Sequence, residues 1–172
     1  KMLLQANFSE LRNQIKYIIF RQGESDATSK RVSANYPVEF EKLYNNLTMD
    51  FPNLVKIYNF QKNILKENND KASFLRDFQR KTKYLYSKIA TLSTIGTVGY
   101  DGLHYNFSGN LQTVYELSRI IGAEIYHDNR TKQIYSPDIK SAYWENNKLV
   151  LEFEKEMLML YPKDSLVNGY LY

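Results

Sequence analysis

Cysteine is absent from this chain, and histidine occurs only twice, at His104 and His127. No disulfide, thiolate metal centre or cysteine nucleophile is therefore available. Two histidines so far apart in sequence also argue against a zinc site, and no metal or cofactor is expected. No apolar run approaches the roughly 20 residues that a membrane-spanning helix needs. The net charge of +4 comes from scattered lysines and arginines, with no basic stripe of the kind that nucleic acid selects. The chain begins at Lys1 rather than at a methionine, which we read as a processed product or a fragment; the lack of a visible signal peptide then leaves the compartment open.

Aromatic side chains, by contrast, are abundant, at 15% of the residues, within a composition of 43% apolar and 24% charged that belongs to a folded protein. A chain of 172 residues accommodates one domain and part of another. It is also long enough to bury a core.

Ile15–Phe20, IKYIIF, is almost unbroken apolar sequence and predicts a strand buried on both faces of a parallel sheet. YPVEFEKLYNNLTMDF predicts a helix burying Val38, Phe40, Leu43, Tyr44 and Leu47. Pro52 breaks it, and Leu54–Phe60 predicts a second strand. KASFLRDFQRKTKYLY predicts a helix with Phe74, Leu75, Phe78 and Leu85 on one face, followed by a third strand near residues 88–94. LQTVYELSRIIGAEIY predicts another helix, capped by Ser108, with Leu111, Val114, Leu117, Ile120 and Ile121 as its apolar stripe. Alternation of strand and helix at this spacing implies an α/β protein with a parallel sheet. The pattern changes after Tyr126, where alternation around Asn146-Asn147 predicts a β-hairpin and the last residues, 158–172, read as strand-like. We expect residues 1–126 to be a portion of one domain, with 127–172 an incomplete β-rich accessory segment.

Two loops follow predicted parallel strands and so should open onto one sheet edge, where ligands of such folds bind. One holds Gln22, Gly23, Glu24, Ser25 and Asp26; the other holds Asp101, Gly102, Leu103 and His104. An aspartate three residues before a histidine can take the imidazole Nδ1 proton and leave Nε2 to act as a base. The same spacing also suits a turn histidine with a local hydrogen bond, and spacing alone does not choose between them. His127, in YHDNRTK, reads as a surface turn.

Taken together, IIFRQGESDA and DGLHYNFSGN resemble two signature blocks of the SGNH hydrolase superfamily, in its sialate O-acetylesterase and acetylxylan esterase branch. The resemblance covers residues 14–155, and the β-rich tail is similar to the region that follows the catalytic domain there. It implies a flavodoxin-like parallel sheet whose first strands are not in this chain. It implies a carbohydrate O-acetylesterase with His104 as catalytic base, Asp101 as its orienting carboxylate and Gln22 as oxyanion-hole donor. Gly23 and Glu24 would belong to the same binding loop, Glu24 bordering the acyl pocket or orienting Gln22 and His104. Arg21 stands where that branch has an aromatic residue or histidine.

The nucleophile block of the superfamily, G-Q-S or G-D-S, does not occur among the serines here. The expectation is that an upstream segment of the same enzyme brings the serine and pairs along the 15–20 strand, and that this chain alone is inactive. The implied partner is an acetylated carbohydrate, and the implied compartment is secreted, periplasmic or lysosome-like. Two alternatives remain: a non-catalytic glycan-binding or structural relic using Tyr100, Tyr105 and Trp144, and an SGNH esterase acting on a non-sugar ester.

Overall fold

The computed structural model describes residues 9–66, 69–129 and 134–154. The chain divides into two compact units, one running to Ile95 and including Tyr100–Tyr105, the other comprising Gly96–Gly99 and the residues from Asn106 onward.

In the first unit a short helix, α1 (Ser9–Gln14), precedes β1 (Tyr17–Phe20), α2 (Lys30–Asp50), β2 (Lys56–Gln61), α3 (Asn69–Leu85) and β3 (Ile89–Ser93). The three strands form a parallel sheet in the order β1-β2-β3, with Ile18 opposite Ile57 and Tyr58 opposite Ala90. This is the α/β architecture that the alternating sequence pattern implies, and it is consistent with an SGNH-type fold. The central strand is enclosed on both faces along its length: Ile57 through Gln61 are all buried.

β1 corrects an expectation. It was expected to be buried on both faces, yet Tyr17 is 40% and Ile19 59% exposed. As the edge of the described sheet it pairs on one side only, and one face of its pleat stays open.

Part of the aromatic richness of the sequence goes into the layer where α2 and α3 meet the sheet. Phe40 sits edge-on to Phe20 at 5.9 Å and to Phe78 at 5.6 Å, and Tyr44 stacks near Tyr86 at 4.6 Å. Such pairs add about 0.5–1.5 kcal/mol each beyond simple burial.

The apolar stripes expected for the helices are partly misplaced. Val38, Phe74 and Leu85 are exposed. The buried face of α3 is Ala72, Leu75, Gln79 and Thr82, two of them polar. Those polar groups are affordable because the strands supply partners: Asn59 Nδ2 donates to Thr82 Oγ1 at 3.1 Å, and Thr82 and Thr91 hydroxyls meet at 3.0 Å. α2 starts earlier than Tyr36, at Lys30, and carries Pro37 inside it. It ends at Asp50, since the residue before Pro52 disfavours the helical region.

The second unit holds α4 (Phe107–Ile125) and an antiparallel pair, β4 (Ile139–Glu145) and β5 (Lys148–Phe153). Asn146 and Asn147 both take left-handed φ, 48° and 60°, as a two-residue hairpin turn demands. The cap of α4 is Asn106 rather than Ser108: the side-chain Oδ1 of Asn106 accepts from the Gly109 N–H at 3.0 Å, leaving Ser108 within the first turn. Leu117 and Ile120 are buried, whereas Leu111 and Val114, also expected inside, are exposed. The strand-like reading of 158–172 lies outside the described residues. No helix among the described residues is long and apolar enough to cross a membrane.

Candidate active site

Because the three strands are parallel, their carboxyl ends lie along one edge of the sheet, and the loops after β1, β2 and β3 all leave from it. The β1 loop turns sharply at Gly23, whose φ of +126° suits glycine. A Cβ there would stand 3.0 Å from Gln79 Nε2 and 3.4 Å from both Leu75 Cδ2 and Lys62 Cγ, so the loop lies directly on α3 and the β2 exit. The half-buried Gln22 directs its side-chain amide to the carboxylate of Asp26. With Phe20, Asp26 and Tyr36 it lines a cleft of about 330 Å³ beside α2.

Glu24 forms an ion pair with Lys62, the first residue after β2. The lysine side chain is only 4% exposed while that of Glu24 is 34% exposed. Burial, reinforced by the Arg21 guanidinium, pushes the Lys62 ammonium down to about 8. Solvent screens the more open carboxylate, so the attraction of Glu24 does not reverse that direction.

The β3 loop is built on a one-bridge hairpin between Tyr100 and Tyr105. Across it the Asp101 N–H donates to the His104 carbonyl at 3.1 Å. Asp101 Oδ1 in turn accepts the backbone N–H groups of Leu103 at 2.8 Å and His104 at 2.7 Å. These two donors hold the Asp101 carboxyl below the usual aspartate range. The other carboxylate oxygen stands 3.9 Å from His104 Nδ1, an ion-pair distance longer than a hydrogen bond. Both side chains are open to solvent, at 74% for His104 and 68% for Asp101.

Two contacts tie this hairpin to its neighbours. Lys66 N–H donates to the Gly102 carbonyl at 3.1 Å, and Gly102, at φ +109°, has no room for a side chain beside Lys66 Cβ. Arg21 lies over the Tyr105 ring at 4.9 Å, and Tyr105 packs on Tyr100 at 4.7 Å while its hydroxyl donates to the Thr94 carbonyl. The residue before Gln22 therefore touches the residue after His104.

Residues 1–121 match the family model of a carbohydrate esterase, the sialic acid-specific acetylesterase. The chain belongs to that family. No curated protein and no solved structure matches it. For a member of this acetylesterase family, both loops, all three parallel strands and most of α4 fall inside the matched region, while the β4–β5 hairpin falls beyond it. Carbohydrate ester hydrolysis is the chemistry of the family.

Sequence reasoning missed three residues at this edge: Lys62, Arg76 and Gln79. Arg76 Nε donates to the Lys62 carbonyl at 3.1 Å, and burial lowers the guanidinium's pKa. Lys62 was findable in principle, since Gln61-Lys62-Asn63 stands at the carboxyl end of a predicted strand. Gln79 gave no signal, because a polar residue on an amphipathic helix reads as solvent-facing. His127, read as a surface turn, is exposed with left-handed φ of 54°.

Proposed function

We propose that this protein removes acetyl groups from an acetylated glycan, with sialic acid the first candidate, by serine-esterase chemistry. A serine outside the two loops attacks the acetyl carbonyl and passes its proton to His104 Nε2. The tetrahedral oxyanion is held by the Gln22 amide N–H, which turns from Asp26 to receive it. Collapse of the intermediate returns the proton from His104 to the departing sugar hydroxyl, leaving an acetyl-serine. Water, deprotonated by the same imidazole, then releases acetate. Asp101 orients His104 through Nδ1–H, a contact that closes from 3.9 Å when the ring turns toward it. Glu24, fastened to Lys62, anchors the Gln22 loop, and Gly23 gives it its turn.

The observation that supports this reading best is the Arg21–Tyr105 contact, which holds the loop of the amide against the loop of the imidazole. The test treats the full-length protein with a fluorophosphonate probe and identifies the labelled residue by mass spectrometry. Acetate release from O-acetylated sialosides, acetylated xylan and longer acyl esters is then compared. A single labelled serine, protected by an acetylated sialoside, is the expected result. No adduct and no acetate release overturn the assignment; preference for a non-sugar ester overturns the substrate class alone.

A further inference from the structure

We propose that Gln79 is the positioning residue of this site: its buried carboxamide fixes the direction in which the Gln22–Glu24 loop leaves β1. The inference rests on the reading of Gln22 as the oxyanion donor. Gln79 is fully buried in the middle of α3. Its Nε2 donates to the Gln22 carbonyl at 2.9 Å and to the Tyr36 hydroxyl at 3.2 Å, and its Oε1 accepts the Lys62 N–H at 2.8 Å. One side chain thus reads the backbone of the β1 exit, the backbone of the β2 exit and the core of α2.

The orientation of the amide is settled by chemistry. A carbonyl can only accept and an N–H can only donate, so the flipped amide would set oxygen against Gln22 O and nitrogen against Lys62 N–H. Every hydrogen-bonding group of the carboxamide except one oxygen lone pair is used. The loop cannot move away without stranding buried polar atoms, and it lies so close that a notional Cβ on Gly23 would stand only 3.0 Å from Nε2. A residue that sets the backbone of Gln22 to this tolerance also sets where its side-chain amide starts, and displacement on the scale of 1 Å can cost about a hundredfold in rate.

The substitution Gln79→Glu separates this role from mere packing. The carboxyl is isosteric; ionised, it faces the Gln22 carbonyl with a lone pair, and protonated it donates there again. Burial raises the pKa of such a carboxyl. The charged or titratable groups around it are Lys62, held by Glu24, Arg76 on the same helix, the Tyr36 hydroxyl and Asp26. In the full-length protein the ratio of variant to wild-type kcat, taken at each pH so that any pH dependence common to both cancels, should be about a tenth or less at pH 8 and climb toward one as pH falls to about 5. KM should change little. Gln79→Met should lower kcat at every pH, without recovery.

A pH-independent ratio for Gln79→Glu, whether near one or low like that of Gln79→Met, overturns the proposal. If either variant fails to fold, hydrogen exchange on the wild type decides: the Lys62 N–H must be protected like the amides of β2, and exchange at an open-loop rate overturns the clamp. If the wild type hydrolyses no ester, the functional reading falls by itself. The clamp is then read from the Gln22 carbonyl 13C shift, which in Gln79→Glu should return to its wild-type value at acid pH and overturns the proposal if it does not.

Discussion

The Arg21 guanidinium lies 4.9 Å above the ring of Tyr105, and this contact joins the loop after β1 to the loop after β3 across the sheet edge. The planar cation of arginine suits an aromatic face, and exposed pairs of this kind contribute about 0.5–1 kcal/mol. Substituting Arg21→Ala should lower stability by about that amount. It should also perturb the backbone amides of Gln22 and His104 together in an NMR spectrum. Independent shifts, confined to residues 20–23, would show that the loops are not coupled.

The left-handed turn at Gly23 should not tolerate a side chain. Gly23→Ala forces a positive φ on a residue with a Cβ and drives that carbon to 3.0 Å from Gln79, at a cost of about 1–3 kcal/mol. Chemical denaturation measures it directly; a neutral result would mean that the loop relaxes freely.

Lys62 makes stability pH-dependent in the alkaline range. Its folded-state pKa of about 8 lies below the ordinary lysine value of 10.5, so between these values the unfolded chain binds more protons. Stability contributed at this site therefore rises as pH increases through that window. Lys62→Met removes this slope, so its stability relative to the wild type should fall by about 1–3 kcal/mol as pH rises from 7 to 10. Urea unfolding of both proteins from pH 7 to 10 checks the sign; a relative stability that rises instead would mean that the Glu24 pair outweighs burial.

Acid should loosen the β3 loop at Asp101. Its carboxyl titrates below the ordinary 3.8 because the Leu103 and His104 amides bond to the charged form. The ionised group thus helps order the hairpin above pH 3.8, and that help is lost as pH falls through the lower folded-state value. The Leu103 and His104 amide resonances should shift together during that titration. An unshifted pair would show that the turn holds without the carboxylate.

For activity, His104→Ala in the full-length protein should reduce kcat by about 10³ or more, while its exposed position keeps the stability change within about 0.5 kcal/mol. Gln22→Ala should cost about 10²–10³ in kcat. Esterase rates and melting curves measured together distinguish a role in chemistry from a folding defect; full activity without the imidazole would remove His104 from the mechanism.

Local pattern was enough to locate three parallel strands, the helices between them and the terminal hairpin, because apolar periodicity, Pro52 and the Asn146-Asn147 turn each act over a few residues. The motif residues of the two loops were equally plain, since Gln22, Gly23, Glu24, Asp101 and His104 lie in contiguous blocks. What the helices bury was less plain. Phe74 and Leu85 look like core and are exposed, while Gln79 and Thr82 look like surface and are buried, because a polar side chain belongs inside wherever a neighbouring strand or loop offers it a hydrogen bond. The pairing of Lys62 with Glu24 and the stacking of Arg21 on Tyr105 join residues 38 and 84 positions apart. Only the parallel register of the sheet, which brings successive strand ends to one edge, makes them neighbours.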